Sequence, residues 1–221
     1  MKKEIVLIVG LGNPGDEYAR TRHNAGFDTV DRLAARLGVS LRRKLLLEGA
    51  VAELVLPEAG MPETTRAGAA PAAARKLVLC EPQTFMNASG RCVRKLMNWY
   101  QVPPEQMLVI YDDIDLPPAK LRFRKNGGPG THNGMRSIVE ETGTDAFPRI
   151  RVGTGDRPEG ADLVSWVLGR FSPEDRRRME QAFEAAADLA LIWAREGAEK
   201  ASQAVASLQA GPRDAASSSP L

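Results

Sequence analysis

Two histidines, His23 and His132, are the side chains of this sequence best suited to proton transfer near neutral pH. An asparagine directly follows each of them, and a glycine lies within three residues, a composition typical of shaped, hydrogen-bonding loops. Each also precedes a predicted helix, and open α/β sheets hold their functional sites where strands end ahead of helices. A lone loop histidine is most often structural, but this repeated context favours a chemical role.

Hydrolytic sites that depend on other residue types have little support in this sequence. No H-E-x-x-H or H-x-H spacing is present for a metal ion. Ser89 lacks the G-x-S-x-G turn that presents a nucleophilic serine. Cys80 and Cys92 form no C-x-x-C pair and have apolar neighbours, so we expect buried, reduced thiols. The remaining possibility is a histidine that activates water without a metal or cofactor, supported by a carboxylate and by amide donors.

The carboxylate is expected in an acidic cluster that follows the apolar run at 107–111. Asp112 lies where that run ends, and Asp113 and Asp115 are close rivals on sequence alone. The alternative to a functional role is structural: the acidic cluster forms a turn before Pro117 and Pro118. Neutral donors are expected from asparagines in comparable loops, which are Asn13, Asn87 and Asn133. Asn87 is equally well placed to cap a helix.

Residues 10–15 match the G-x-G-x-x-G pattern of dinucleotide-binding proteins. That motif requires a helix to begin at the glycines, so that its N-terminus faces the pyrophosphate. Here helical periodicity begins only near Asn24, and no Gly-Lys-Ser/Thr follows to make a phosphate-binding loop. Dinucleotide-dependent oxidoreduction is therefore the least favoured interpretation. We expect the glycines to let the backbone pass close to a substrate and to direct the amide of Asn13.

Alternating strand and helix patterns predict the fold class. Strands are predicted at 5–9, 45–56 (as one strand or a hairpin arm), 76–80, 107–111, 120–125 (as a basic edge strand) and 149–152. Helices are predicted at 24–37, from 87 to just before Val102, at 133–141 and from Ser172 onward, the last burying Met179, Phe183, Ala186, Ala190 and Trp193. We expect an α/β fold: a single three-layer α/β/α domain around a twisted, mostly parallel mixed sheet.

Composition sets the domain limits. The 221 residues are expected to form one domain over 1–205, with a flexible insertion at 57–74 and a disordered tail at 206–221. Glu4 interrupts the first apolar run, no signal-cleavage residues follow it, and no apolar stretch approaches the ~20 residues needed to span a bilayer. We therefore expect a cytoplasmic protein with no membrane partner, and a monomer.

Basic side chains are concentrated in particular segments, although the net charge is only +2. Residues 116–139 contain five of them and no acidic side chain. A solvated basic face would explain one such run. Further local excess at 20–22, 42–44 and 149–157 makes a phosphate-rich partner an equal alternative.

Several separate motifs together resemble the bacterial-type peptidyl-tRNA hydrolase family. The resemblance extends from the first strand to about residue 198, and its motifs occur in the order in which the family has them. They lie at residues 9–15, 18–26, 82–90, 112–118, 132–134 and 147–155. Such a protein is expected to hydrolyse the ester that joins a prematurely released peptide to the 3′-terminal ribose of tRNA, which recycles the tRNA.

The resemblance also implies roles for individual residues. His23 is expected to be the general base for water, Asp112 to hold it in its basic form, and Asn13 to recognise the blocked α-amino group. Five residues are expected to line the site for the peptide and the terminal nucleotide: Tyr18, Asn24, Phe85, Asn87 and Asn133. Three are expected to meet tRNA phosphates: Arg122, Arg124 and Arg151. No metal or cofactor is implied. The main alternative is a catalytically idle RNA-binding relative, which the presence of the site residues disfavours.

Overall fold

A computed structural model describes residues 4–56, 75–155 and 157–209. The described chain contains a seven-stranded sheet in the order β2-β3-β4-β1-β5-β7-β6. Its strands are β1 (Ile5–Gly10), β2 (Arg42–Lys44), β3 (Gly49–Leu56), β4 (Arg75–Pro82), β5 (Met107–Asp113), β6 (Leu121–Arg124) and β7 (Arg149–Gly153). The helices are α1 (Ala25–Arg36), α2 (Ser89–Tyr100), α3 (Asn133–Thr142), α4 (Leu163–Val167), α5 (Pro173–Glu196) and α6 (Ala198–Gln209).

The sheet is parallel at its centre and antiparallel at both edges. β1 lies parallel to β4 and to β5, and β5 lies parallel to β7. At one edge β3 runs antiparallel to β4 and to β2, and at the other β6 runs antiparallel to β7. The predicted mixed, mostly parallel sheet and the basic edge strand are confirmed. Because the central strands are parallel, their carboxyl ends meet at one edge, which we call the carboxyl edge.

Helices cover both faces of the sheet, as the prediction of three layers requires. On one face α1, α5 and α6 pack against a buried cluster that includes Ile8, Leu79 and Ile110. On the other face α2 and α3 pack against a second cluster that includes Val9 and Val109. Continuous apolar runs in the central strands are explained by this burial on both sides. Among the described residues, no helix is long and apolar enough to cross a membrane.

The long C-terminal helical segment is divided in two. The five residues predicted to face inward from it are all buried. Gly197, with φ of 88°, ends α5, and α6 then continues to Gln209. The helix therefore extends beyond the domain boundary expected at 205, because Val205 and Leu208 pack against the core. The expected insertion at 57–74 and the tail from 210 onward lie outside the described residues.

The strand predicted over 45–56 begins later than expected. Residues Leu45–Leu47 form a 3-10 turn, and β3 starts only at Gly49. Glu48 between them has a left-handed backbone, with φ of 54°. Leu45 and Leu46 point away from the core and are exposed, so burial does not hold this segment in a strand.

Helices α2 and α3 cross in direct contact at Gly90. The Gly90 backbone N–H donates to the Ser137 hydroxyl over 3.0 Å. A Cβ atom on Gly90 would lie 2.0 Å from the Ser137 carbonyl oxygen, far inside van der Waals contact. The crossing therefore requires glycine, and it sets how α3 approaches the carboxyl edge.

We predict that Gly90→Ala destabilises the protein. The clash at the crossing is expected to cost about 1–3 kcal/mol or more, which outweighs the ~0.5–1 kcal/mol that alanine gains over glycine within a helix. The free energy of unfolding from urea titration measures the change. Gly128→Ala is the matched control, since a Cβ there meets nothing within 4 Å. Equal stability of the two variants would contradict this account of the crossing.

Candidate active site

Three ionisable side chains from different parts of the chain meet at the carboxyl edge. His23 lies in a 3-10 turn, Arg22–Asn24, between β1 and α1. Asp112 is the penultimate residue of β5, and His132 is the N-cap of α3. The parallel pairing of β1 with β5 brings His23 and Asp112 to the same place although 89 residues separate them.

The carboxylate of Asp112 lies between the two imidazole rings. His23 Nδ1 is 2.9 Å from Asp112 Oδ1 and 3.0 Å from Oδ2. His132 Nε2 is 3.0 Å from Asp112 Oδ1. Asp112 is only 3% exposed, so its charge is balanced by these partners rather than by bulk water.

The pKa of each group in this cluster is shifted from its ordinary value. Burial opposes the charge of Asp112, but the attraction of His23 and His132 and their hydrogen bonds hold its pKa well below the usual value. Burial alone would lower the pKa of His23, yet its attraction to Asp112 and the hydrogen bond outweigh burial and raise it. For His132 burial prevails and lowers the pKa, so this ring stays neutral near pH 7.

The hydrogen bonds also determine which ring nitrogens carry protons. His132 Nδ1 accepts from the backbone N–H of Met135 over 3.3 Å, so the proton of the neutral ring is on Nε2 and is donated to Asp112. His23 donates from Nδ1 to the same carboxylate. Its Nε2 has no hydrogen-bond partner within the described ranges. His23 therefore presents a free lone pair on Nε2.

The two rival carboxylates have other partners. Asp113 forms an ion pair with Arg151, and its Oδ1 accepts from the Asp115 backbone N–H over 3.0 Å. Asp115 is exposed in the turn that follows. Of the three acidic residues that the sequence left open, Asp112 is the one in contact with His23.

Asn13 is held in one orientation by its neighbours. Its Oδ1 accepts from the Met86 backbone N–H over 2.7 Å, which leaves the Nδ2 amino group as the donor it can offer to a ligand. Asn24 bonds both backbone groups of Asn13, at 2.9 Å and 3.0 Å. Asn24 therefore fixes the backbone of Asn13, and its expected place in the lining of the site stays a prediction.

The glycines before Asn13 serve packing between the first loop and α1. A Cβ atom on Gly10 would lie 2.3 Å from the Gly26 carbonyl oxygen, and one on Gly12 would lie 2.6 Å from the Phe27 ring. Close packing accounts for Gly10 and Gly12, and the expected approach of this backbone to a substrate stays a prediction. They allow α1 to begin close to β1, which places the His23 turn over the carboxyl edge.

An aromatic and amide surface lies beside Asn13. Tyr18 and Phe85 contact edge to face, with ring centroids 6.1 Å apart, and Phe85 is 50% exposed. Asn87 is exposed and does not cap α2, whose N-cap is Ala88 without a side-chain bond. The helix-cap alternative for Asn87 is therefore wrong, because the chain first forms a 3-10 turn at Met86–Ala88.

A cavity of about 320 Å³ opens on the other side of His23. Asp112, Asn133 and the glycine-rich loop at 126–131 line it, together with Arg124 and Arg151. Strands β6 and β7 pair Arg122 with Arg151 and Arg124 with Arg149, so the four guanidinium groups share one face of the sheet. Arg122 and Arg124 are exposed, whereas Arg151 is paired with Asp113.

Two arginines hold segments that line this cavity in place. The sequence indicates no individual role for either of them. Arg149 is 2% exposed and donates to the carbonyls of Gly127 and Asp145, which fastens the glycine-rich loop to β7. Arg22, next to His23, lies 3.7 Å above the Trp166 ring and donates to the Arg170 carbonyl. It therefore joins α4 to the His23 turn. His132 was visible as the second His-Asn-Gly element, whereas nothing in the local sequence distinguishes these two arginines.

His23, Asp112 and His132 are also the one group within the described ranges that could hold a metal ion, since their ligand atoms lie within 4.8 Å of one another. Sequence spacing did not indicate this group, because its members come from separate loops. The facing atoms are already joined through protons on both rings. A metal ion would have to replace both hydrogen bonds.

Comparison with known proteins identifies the family. The peptidyl-tRNA hydrolase family model matches residues 7–213. A peptidyl-tRNA hydrolase of Chloroflexus aurantiacus is 46% identical over 196 residues, which cover 86% of this chain and 93% of that protein. The corresponding enzyme of Agathobacter rectalis is 44% identical, covering 88% and 96%.

A solved structure agrees with this relationship. The crystal structure of peptidyl-tRNA hydrolase from Acinetobacter baumannii superposes with a TM-score of 0.76 at 33% identity, covering 95% of this chain and 97% of that one. The fold, the family match and the sequence identity agree over nearly the whole chain. The chain therefore belongs to the peptidyl-tRNA hydrolase family and is an enzyme that hydrolyses peptidyl-tRNA.

Proposed function

We propose that this enzyme cleaves the peptide–tRNA ester with a water molecule activated by His23, without a metal ion. The observation that carries the proposal is the contact of His23 Nδ1 with Asp112, which leaves Nε2 free to accept a proton. Asp112 keeps the ring in that tautomer and stabilises the imidazolium that forms. The cavity beside His23 gives water and the ester access to Nε2.

The reaction proceeds in two proton transfers at one nitrogen. His23 Nε2 removes a proton from water as the water oxygen attacks the ester carbonyl carbon. The bond from that carbon to the ribose 3′ oxygen then breaks, and the imidazolium returns the proton to the leaving oxygen. The products are a tRNA with a free 3′ hydroxyl and a peptide carboxylic acid, which keeps the second proton of the water and then loses it to solvent. An ester needs no stronger catalyst than a positioned base, worth ~10²–10⁴ in rate, and an oxyanion donor of similar effect.

Asn13 supplies the selectivity for blocked substrates. Its Nδ2 group can donate to the acyl carbonyl that every peptidyl-tRNA carries on its last α-nitrogen, because Oδ1 is already occupied by Met86. An unblocked aminoacyl-tRNA has an ammonium group there, which has no acceptor and would leave the amide donor unpaired. Tyr18, Phe85, Asn87 and Asn133 provide the surrounding contacts for the peptide and the terminal nucleotide.

The arginines of the β6–β7 face bind the RNA backbone. Arg122 and Arg124 are exposed. Arg124 and Arg151 line the cavity that also contacts His23, and Arg122 pairs with Arg151 across the two strands. Phosphate contacts add affinity without reading sequence, which suits an enzyme that must accept every tRNA. We further propose that it acts in the cytoplasm as a monomer. The alternative of an idle RNA-binding relative is disfavoured, because the His23–Asp112 contact is intact.

Purified enzyme is expected to release tRNA from N-acetylphenylalanyl-tRNA and to leave phenylalanyl-tRNA intact. His23→Ala should lose at least about a hundredfold in kcat, since the base is removed. Excess EDTA should change nothing. A turnover that EDTA abolishes and zinc restores would instead assign His23, Asp112 and His132 to a metal site.

The pH profile tests the role of Asp112. The neutral ring of His23 is the active form, so kcat/KM should fall as pH decreases through a pKa above 6.5. Asp112→Asn removes the attraction that raises this pKa while burial remains, so the acidic limb should move to lower pH and the plateau rate should drop. Asp115→Asn is the control, and it should keep the acidic limb and the plateau rate of the wild-type enzyme. If Asp115→Asn alone moved the limb, Asp112 would be the wrong carboxylate.

Salt dependence tests the RNA-binding face. Arg122→Ala should weaken binding of uncharged tRNA and reduce the slope of log Kd against log salt by about one, since one phosphate contact is lost. Arg178→Ala is the control. It removes one positive charge from the exposed surface of α5 and should change neither the binding of uncharged tRNA nor the salt slope. Identical slopes for the two variants would exclude Arg122 from phosphate binding.

A further inference from the structure

Two adjacent leucines are fully presented to solvent at the turn between β2 and β3. Leu45 is 77% exposed and Leu46 is 82% exposed, whereas Leu47 beside them is buried. The 3-10 turn Leu45–Leu47 holds both side chains outward, and the left-handed Glu48 ends it. We call Leu45 and Leu46 the leucine tip. Arg42 and Arg43 precede it on β2 and are exposed as well.

The topology places the leucine tip at the same edge of the sheet as the active site. β3 starts at Gly49, which pairs with Pro82 at the carboxyl end of β4. β4 runs parallel to β1, whose carboxyl end leads to Asn13 and His23. The turn before Gly49 therefore lies at the carboxyl edge, two to three strands from β1.

The chain itself connects the tip to the site. A pocket of about 220 Å³ adjoins Leu45, and its other side chains are polar or charged: Arg43, Lys44, Glu48, Gln83, Thr84 and Arg91. The Gln83 backbone N–H donates to the Glu48 carbonyl over 2.8 Å, which fastens the tip to the segment after β4. That segment continues into Phe85, which packs on Tyr18, and into Met86, whose N–H bonds the Asn13 side chain.

The two halves of the substrate must leave His23 in different directions. The strand order puts the arginines of β6 and β7 on one side of β1 and β5, and the leucine tip on the other. With the RNA on the arginine side, the peptide extends across Phe85 toward the tip.

The distance sets which peptide residue reaches the tip. Neighbouring strands are about 4.8 Å apart, so the tip lies roughly 10–14 Å from β1 across the carboxyl edge. An extended peptide covers about 3.3–3.6 Å per residue, which corresponds to three or four residues beyond the one that carries the ester.

We propose that the leucine tip forms a second peptide subsite, which binds apolar side chains at the fourth and fifth residues from the ester. This inference rests on the proposed function, because it takes the ester to lie at His23 and the RNA on the arginine face. The subsite raises kcat/KM for peptidyl-tRNAs that carry longer, apolar peptides. Arg42 and Arg43 beside the tip disfavour basic residues at the same peptide positions.

Two substrates distinguish the contribution of the subsite to kcat/KM from that of the catalytic centre. N-acetylphenylalanyl-tRNA ends before the tip, whereas a hexapeptidyl-tRNA with leucine at the fourth and fifth residues from the ester reaches it. The double variant Leu45→Gln/Leu46→Gln should lower kcat/KM for the hexapeptidyl substrate about five- to tenfold, mainly through KM, and leave the short substrate unchanged. Both changes are at exposed positions, so folding is expected to be unaffected.

Trp99→Gln is the matched control, because Trp99 is 66% exposed but lies near the end of α2 that leads away from the carboxyl edge. It should leave both substrates unaffected. Equal loss on both substrates, or none on either, would overturn the subsite. Weaker binding of uncharged tRNA by the double variant would show that the tip contacts RNA instead. Failure of the wild-type enzyme to cleave the short substrate would overturn the proposed function itself.

Discussion

The buried charge of Asp112 is the constraint around which the site is arranged. An ionised carboxylate that is 3% exposed would cost far more than a hydrogen bond returns, unless donors surround it. Both histidines donate to it, His23 from Nδ1 and His132 from Nε2. Since the Met135 backbone N–H occupies the other nitrogen of His132, that ring can only be a neutral donor. The carboxylate thus stays charged, and of the two rings only His23 keeps a nitrogen without a hydrogen bond within the described residues.

The fold supplies the positions that this arrangement needs. Asp112 is carried by a central strand buried on both faces, so its backbone has little freedom. The His23 turn is fixed between β1 and α1 by glycines that permit close packing, and by Arg22, which ties it to α4. His132 is fixed as the cap of α3, which Gly90 holds against α2. The geometry of the His23–Asp112–His132 cluster therefore depends on contacts well outside the cavity.

The sequence predicts the layered fold because buried parallel strands and amphipathic helices have distinct periodicities. It also predicts His23 and Asn13, whose residue types and loop positions carry the information. The residues alone place Asp112 only slightly ahead of Asp113 and Asp115, and the family resemblance selects it, since which carboxylate faces a histidine depends on strand register between distant segments. Arg149 and Asn24 act on backbone groups, and such partners have no sequence signature. Residues 45–47 are predicted as part of a strand because local apolar composition does not reveal which side chains lack a core.

Imidazole ¹⁵N chemical shifts test the central claim most directly, because the chain has only two histidines. Spectra recorded above the pKa of His23, with His132→Gln used for assignment, report the tautomer of each ring. We expect His23 to carry its proton on Nδ1 and to have an unprotonated Nε2, and His132 to carry its proton on Nε2. A His23 ring protonated mainly on Nε2 would contradict this claim, because the nitrogen assigned to activate water would then have no lone pair.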